Sequence, residues 1–283
     1  FRLMDNVQVG GDVTHSGGLF DFGPYNFVMQ DVAANNASAG ADDFLASAGV
    51  SYEATGGVLV FTNDVMFVGS NGVPVPNVEA GTITLRTDFQ VSRQLVLSGT
   101  INNEDDGAND DPNSASGEHL ILASGAELVL TGMGRVDNPN GPGAPPTTVQ
   151  LVTLPATYAL TIRNWTFTDQ FRTASYPTSA TITTLTIDQG GAGTIELDRN
   201  RTAQNLVLQS GTLNLVNVDL DNDGVLDPGE PATFNMSVTG DVTYAGGTLV
   251  AVGGGTGRLI FTGAGVQMFN VPNGGLAVPN NVD

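Results

Sequence analysis

The sequence predicts an all-β fold, specifically a right-handed parallel β-helix (a β-solenoid) with inserted loops. Three observations predict it: short stretches in which apolar and polar residues alternate, glycine-rich corners between them, and a Gly-Thr-(Ile/Leu) triplet that recurs. Alternation with a period of two is the pattern of a half-buried strand, and glycine suits the tight turns between strands. The same strands and turns also fit a β-sandwich, which is the alternative fold.

The alternating stretches are short, rich in β-branched residues, and bounded by Gly, Asn, Asp or Ser, as strands are. Helical periodicity is almost absent, and only segment 41–46 is a candidate for a short helix, with a polar loop as the equal alternative. The predicted strands lie, in chain order, at 57–62, 81–85, 94–98, 119–122, 127–131, 181–187, 193–197, 205–208, 211–215 and 258–262.

The triplet begins at Gly81, Gly99, Gly193, Gly211 and Gly247, and all of its intervals except that from Gly99 to Gly193 suit a solenoid. The intervals from Gly81 to Gly99 and from Gly193 to Gly211 are both 18 residues, and Gly247 follows after twice that. One turn of a parallel β-helix needs roughly 18–24 residues, because it holds two or three short strands joined by tight corners. The repeated triplets are therefore predicted to stack on one another.

A longer sequence repeat, the longer echo, occurs once near each end of the chain. The sequence Gly-Asp-Val-Thr-His-Ser-Gly-Gly at 11–18 returns as Gly-Asp-Val-Thr-Tyr-Ala-Gly-Gly at 240–247. The rest of the first 80 residues departs from the repeat pattern, which predicts an N-terminal β segment at 1–80, a candidate cap or assembly region, before a solenoid body at 81–283. Matching strands resume after each interruption of the body, so loops inserted at corners are expected at 102–118, 137–148 and 219–231.

Composition excludes several classes of function. The chain has 29 acidic residues, nine basic residues that are all arginine, no cysteine, and a net charge of −20. Such a surface repels nucleic acid and anionic membranes and attracts divalent cations, so neither nucleic-acid binding nor membrane insertion is expected. Without lysine or cysteine, Schiff-base chemistry, disulfides and thiolate sites are excluded. The chain begins at Phe1 rather than methionine, and we interpret it as a processed or partial piece of a longer precursor.

The sharpest motif is the segment from Asp219 to Glu230, which matches a twelve-residue calcium loop at each ligand position. Gly224 permits the sharp turn and Leu226 supplies the apolar anchor. The flanks are predicted as strands, at 213–218 and 233–238, so the loop is not a helix-borne sensor; a solvated acidic turn is the alternative. The predicted Ca²⁺ ligands are Asp219, Asp221, Asp223, the carbonyl of Val225, Asp227 through water, and Glu230.

Other candidate sites are weaker. The acidic run in segment 104–111 has no regular spacing, and an acidic loop is the better interpretation. His15 and His119 lie in no zinc-binding pattern, and no nucleophile elbow is present, so no catalytic residue and no enzyme is predicted. A polysaccharide lyase is the enzymatic alternative. The basic group of a lyase would come from the clustered arginines, which are Arg163, Arg172, Arg199 and Arg201. These arginines are instead expected to pair with acids such as Asp169 and Asp198.

Two segments carry a family resemblance. Residues 180–216 contain Leu-Thr-Ile, Gly-Thr-Ile-Glu-Leu and Leu-Val-Leu-Gln-Ser-Gly-Thr-Leu, and residues 259–267 read Leu-Ile-Phe-Thr-Gly-Ala-Gly-Val-Gln. These resemble repeats of large secreted surface proteins of Bacteroidetes and related bacteria. The resemblance implies an extracellular, cell-surface location, a β-solenoid or adhesin-like architecture, and a structural or adhesive role without catalytic residues.

The expected function is therefore structural: a subunit of a self-assembling surface filament stabilised by calcium. A solenoid has unpaired strand edges, and segments 1–4 and 271–279 are apolar enough to contact a neighbouring copy in a contact that does not close. The alternative is the stalk or carbohydrate-binding module of an adhesin that contacts surface glycans. Its candidate aromatic residues, for which core or cap packing is the simpler explanation, are Trp165, Phe167 and Phe171.

Overall fold

The structure is a computed structural model of the 283-residue chain. Its described residues contain strands and turns but no helix, so none of them forms a helix that could span a membrane. Most strands pair in parallel within a large sheet, which confirms the all-β prediction and differs from the antiparallel sheets of a β-sandwich. The described residues are 1–5, 7–9, 13–15, 19–23, 27–29, 41–46, 52–54, 58–61, 64–68, 75–81, 83–85, 89–99, 101–103, 120–132, 134, 152–153, 155–166, 181–190, 193–197, 199–217, 232–251 and 257–270.

The chain divides into two compact units: unit 1 comprises Phe1–Leu128 and Met133–Pro155, and unit 2 comprises Val129–Gly132 and Ala156–Asp283. The strands that begin in unit 1 are β1 (Val7–Val9), β2 (Val13–His15), β3 (Leu19–Gly23), β4 (Phe27–Met29), β5 (Ala41–Ala46), β6 (Tyr52–Ala54), β7 (Val58–Phe61), β8 (Asp64–Val68), β9 (Val75–Ala80), β10 (Ile83–Leu85), β11 (Phe89–Leu97), β12 (Ile101–Asn103), β13 (Leu120–Leu122), β14 (Glu127–Gly132) and β15 (Val152–Thr153). Those of unit 2 are β16 (Thr157–Trp165), β17 (Thr181–Asp188), β18 (Thr194–Glu196), β19 (Arg201–Ser210), β20 (Thr212–Asn214), β21 (Val216–Asn217), β22 (Ala232–Thr233), β23 (Met236–Val238), β24 (Val242–Tyr244), β25 (Thr248–Val250), β26 (Leu259–Phe261) and β27 (Phe269–Asn270).

Unit 1 is built from parallel rows of strands. One row runs β1-β4-β5-β8-β10-β12, a second runs β3-β7-β9-β11, and β2 pairs with β6. Segment 41–46, considered above as a helix or a loop, is a strand, because β4 and β8 pair with it on its two sides. Backbone pairing on both sides therefore decides the conformation of a segment whose own sequence is ambiguous.

The repeated triplets of unit 1 stack as predicted. The third residues of the triplets at Gly81 and Gly99 are Ile83 and Ile101, which are parallel partners of β10 and β12, and both are buried. Apolar residues of β9 and β11 stack in the same way, since Val78 pairs with Leu95 and both are buried. The interval of 18 residues thus places like residues one above another in the interior.

Unit 2 has the more completely described stack. Its long row runs β16-β17-β19-β23-β26, with β24 between β19 and β27, and a second row runs β18-β20-β25. A continuous line of buried residues crosses the long row because successive partners are apolar: Leu160, Leu185, Leu206 and Val242. Burial of such rows is the main source of stability in an all-β core.

The triplets at Gly193, Gly211 and Gly247 also stack in register, which confirms the prediction from their spacing. Their apolar third residues, in β18, β20 and β25, are successive partners and are all buried: Ile195, Leu213 and Leu249. Gly211 has φ of +75°, and a Cβ atom at this position would lie 2.7 Å from the carbonyl oxygen of Gly193. Both the left-handed backbone and the close approach require glycine at this corner.

Side-chain amides and carboxylates of unit 2 close other corners between layers. The Asn205 Oδ1 atom accepts a hydrogen bond from the backbone N–H of Asp241 at 2.9 Å, and the Asp241 Oδ1 atom accepts one from the N–H of Met268 at 2.8 Å. A second ladder runs from Asn200 Oδ1 to the N–H of Asn235, and from Asn235 Oδ1 to the N–H of Arg258. These bonds satisfy backbone donors that the strand ladders leave unpaired at the corners.

The longer echo is a structural repeat as well, since its third to fifth residues form β2 in one copy and β24 in the other. Of the three predicted insertions, positions 102–103 belong to β12 and the remainder, 104–118, 137–148 and 219–231, lies outside the described residues.

Candidate metal site at an antiparallel hairpin

The predicted calcium ligands, Asp219 to Glu230, lie outside the described residues, but the structure describes both ends of the segment that contains them. Strands β21 and β22 pair antiparallel, with Val216 opposite Thr233 and Asn217 opposite Ala232. Among the strand pairs whose register the structure describes, this pair alone is antiparallel, and the others are parallel. The chain therefore leaves the stack and returns to it at one hairpin, which we call the calcium-loop hairpin.

A buried asparagine turns the chain out of the stack. The backbone N–H of Val216 donates to Asn214 Oδ1 at 3.2 Å, two residues back, and Asn214 Nδ2 donates to Glu196 Oε1 at 3.2 Å in the preceding layer. An asparagine side chain that accepts from the second following N–H forms an Asx turn. The predicted continuous strand at 213–218 is consequently two short strands, β20 and β21, that break at Leu215.

A second asparagine anchors the hairpin to the preceding layer. Asn217 is fully buried, and its Nδ2 atom donates to the carbonyl oxygen of Leu197 at 3.3 Å. A buried amide that lost such a partner would destabilise the fold, so this contact fixes the base of the hairpin. The sequence pattern gave no sign of it, because an asparagine just before an acidic loop is equally consistent with an exposed turn.

The two ends of the hairpin meet at its base. The N–H of Phe234 donates to the carbonyl oxygen of Leu215 at 2.9 Å. Gly257 lies against the same two residues: a Cβ atom there would be 2.7 Å from the carbonyl oxygens of both Leu215 and Phe234. Leu215 and Phe234 are therefore neighbours in space although the whole calcium-loop hairpin separates them in the sequence.

The hairpin also explains an irregular interval. Asn214 contacts Glu196 across 18 residues, whereas Thr212 contacts Thr248 across 36. The segment 216–233 itself has 18 residues, so its removal would leave a turn of the shorter length. The calcium-loop hairpin is accordingly an insertion between β20 and β25, in a row whose preceding step, from β18 to β20, is 18 residues.

Chemically, this arrangement gives an acidic segment a rigid, closed base. Calcium binds six to eight oxygen ligands, and a hairpin that brings both ends of a twelve-residue acidic loop together lowers the entropy cost of gathering them. In the part of the chain that the structure describes, no group of three or more His, Asp or Glu side chains forms a second candidate metal site. The ligand assignments themselves stay a prediction.

The arginines of the predicted basic cluster have separate roles. Arg163 forms an ion pair with Asp188, with 3.4 Å between Arg163 Nε and Asp188 Oδ2. These two residues are partners of β16 and β17, and Ser210 of the next strand donates to the same carboxylate at 2.8 Å. The expected pairing partners Asp169 and Asp198, like Arg172, lie outside the described residues.

Arg201, the first residue of β19, is buried, which sequence reasoning missed. Burial raises the pKa of the Tyr158 phenol above its ordinary value, and the positive charge of Arg201 opposes that rise. The signal was present in the alternation of β19, because Arg201 and Ala203 are two residues apart and therefore share the inward face.

Trp165 is only 7% exposed, and its backbone N–H donates to Gln189 Oε1 at 3.0 Å. This confirms core packing for Trp165, since a ring buried to this extent offers no face on which a sugar can stack. Phe167, Phe171 and His119 lie outside the described residues, and His15 lies in β2.

Comparison of the chain with family models, curated proteins and solved structures finds no match.

Proposed function

We propose that this chain is a structural extracellular protein, a subunit of a self-assembling surface filament. Its body is a right-handed parallel β-helix, and its calcium-loop hairpin binds Ca²⁺. The observation that carries the proposal is the in-register parallel stack of the Gly-Thr-(Ile/Leu) triplets over β18, β20 and β25. A stack of this kind buries its apolar side chains in its interior. Like other structural elements, it does not require a concave ligand-binding site.

Self-assembly follows from the edges of such a stack. A parallel layer has an unpaired row of N–H and C=O groups on its outer side, and a matching layer of another copy can satisfy them. When the two joined surfaces are different, the contact repeats without closing and produces a fibre. The net charge of −20 keeps separate copies soluble, so assembly is expected to strengthen as salt or Ca²⁺ screens that charge.

Calcium enters the proposal through the ligand set of the hairpin. Asp219, Asp221, Asp223 and Glu230 supply carboxylates, Val225 a carbonyl, and Asp227 a contact through water, which suits a hard cation that prefers oxygen. The support from the described residues is the closed base at Val216–Asn217 and Ala232–Thr233. Because the hairpin is an insertion, Ca²⁺ is expected to stabilise the hairpin before it affects the stack.

Electron microscopy tests the assembly. Negative-stain images of the 283-residue chain, taken across a range of protein and Ca²⁺ concentrations, should show unbranched filaments whose length grows with concentration. Particles of one subunit under all these conditions would overturn the filament proposal. Binding to a glycan array by such single subunits would favour the adhesin alternative instead, and a crystal structure would test the right-handed β-helix.

Calorimetry tests the metal separately. Titration with CaCl₂ should give one binding event in the wild-type chain, weakened at least tenfold by Asp221→Ala. The matched control is Glu79→Ala, which removes an exposed carboxylate from β9 and should leave binding unchanged. Equal binding in all three proteins would place the bound ion elsewhere, and absence of binding heat in the wild type would remove calcium from the proposal.

A further inference from the structure

Among the residues whose side-chain burial the structure describes, large apolar side chains are exposed at only two places. One is the start of unit 1, where Phe1 and Met4 are both 79% exposed. The other is the last described part of unit 2, which we call the terminal patch: Val266 is 97%, Met268 62% and Phe269 37% exposed. Exposed apolar residues that cluster, rather than scatter singly, mark an interaction surface.

The terminal patch lies at a strand edge. Among the described strands β26 pairs only with β23, and β27 pairs only with β24. The ring of Phe269 lies 5.3 Å from that of Tyr244 and 6.0 Å from that of Phe261, measured between centroids. Phe269 is thus held by aromatic packing, while β26 and β27 each have only one partner strand within the described part of the chain.

The distribution of charge along the sequence indicates which partner binds the terminal patch. Between Asp241 and Asp283 the sequence has no acidic residue, and Arg258 is its only charged residue, although the chain as a whole carries −20. The first twenty residues are also nearly neutral, with Arg2 against Asp5 and Asp12. Two copies of so acidic a chain repel each other at most surfaces, and that repulsion is weak at these two segments. A small cationic or strongly polar partner would find no matching charge at the terminal patch.

We propose that the terminal patch binds a second copy of this chain at the surface that carries Phe1 and Met4, by addition of a parallel strand layer to β26 and β27. The inference rests on the proposed filament and names the two surfaces that meet in it. The contact is heterologous, since the patch of one copy binds a different patch of the next, and therefore each added copy presents a fresh terminal patch.

Sedimentation velocity of full-length variants tests this contact. The variant Val266→Asp/Met268→Asp adds two charges to the terminal patch and should weaken self-association at least tenfold. The control, Gln204→Asp/Gln209→Asp, adds the same charge at two exposed positions of β19 and should leave association within twofold of wild type. Far-UV circular dichroism should be unchanged in both, because all four side chains are exposed and backbone bonds are retained.

Mixing tests the identity of the two surfaces. Phe1→Asp/Met4→Asp should also block filaments alone, yet an equal mixture with Val266→Asp/Met268→Asp should give a dimer and nothing longer, since one intact surface of each kind is present. Unchanged association of the terminal-patch variant would overturn the inference while the filament stands. A dimer formed by Phe1→Asp/Met4→Asp alone would mean that terminal patches bind each other. Should one variant lose its β signal, the other still decides the matter, and a wild-type chain that never associates would instead refute the filament itself.

Discussion

The stack of β18, β20 and β25 and the calcium-loop hairpin of β21 and β22 are adjacent in the sequence but obey different rules. In the stack the strands are parallel, and each buries a corresponding apolar residue at the same register. In the hairpin the two strands are antiparallel, only two residues long, and attached through the side chains of Asn214 and Asn217. One region is stabilised by repeated burial and the other by specific polar contacts at its base.

The difference between the two regions shows how this fold accommodates an insertion. The stack continues from β20 to β25 as though the hairpin were absent, because Leu215 and Phe234 are joined by a hydrogen bond of 2.9 Å. Loops inserted at a point where the ends already meet cost little closure entropy. An acidic segment is thereby added without disturbing the buried rows on which the stability of the stack depends.

Replacement in the stack should have the largest effect. Leu213→Ala removes a fully buried side chain between Ile195 and Leu249, and the cavity should lower the free energy of unfolding by about 2–5 kcal/mol. Urea unfolding followed by circular dichroism measures it. Val250→Ala, on the half-buried outward side of β25, is the control and should lose less than half as much. A loss in Leu213→Ala no greater than in Val250→Ala would mean that the row is not tightly packed.

The glycine corner should come next. Gly211→Ala places a Cβ atom against Gly193 at a φ of +75°, and should cost about 1–3 kcal/mol in the same unfolding experiment. Two control variants separate the backbone penalty of a positive φ from the steric clash of the added Cβ atom. Gly125→Ala has φ of +79° with open space around it, so it should show the backbone penalty alone, and Gly265→Ala, in open space without a positive φ, should be neutral. Equal stability of all three would contradict a steric role for the corner.

A smaller effect is expected at the junction of the two regions. Asn214→Ala removes the acceptor of the Val216 N–H and should cost about 1–2 kcal/mol, with a weaker affinity for Ca²⁺ because the hairpin base loosens. Asn200→Ala is the matched control: it also removes one side-chain acceptor of a backbone N–H, but at an exposed position outside the hairpin. If the calcium affinity fell equally in both variants, metal binding would not depend on the base of the hairpin.

Excision of the hairpin should have the smallest effect on the stack. Deletion of residues 218–231, with a two-residue Asn-Gly turn joining Asn217 to Ala232, retains the buried base of the hairpin. It should change the free energy of unfolding by less than about 1 kcal/mol and preserve the β spectrum, while calcium binding is lost. Calorimetry and urea unfolding on the same preparation measure both. An unfolded deletion variant would show that the hairpin is integral to the stack and would break the contrast between the two regions.

Much of this architecture was predictable because its signals are local or periodic. The alternation in β17, β19 and β20 predicted which residues are buried, and the triplets at Gly193, Gly211 and Gly247 predicted which strands stack. The strand nature of 41–46 was missed, since its pairing with β4 and β8 depends on segments remote in the sequence. For the same reason the break at Leu215 was missed, because it depends on where Asn214 places its side chain.

By itself the sequence determined the class of the fold, the interval of the stack and the acidic character of the hairpin, because each follows from residue type and spacing along the chain. Only the tertiary structure decided that Leu215 meets Phe234 and that Asn217 is buried against Leu197. These contacts join residues that alternation cannot connect. Both contacts give a hydrogen-bond partner to polar groups that are buried once the layers have stacked.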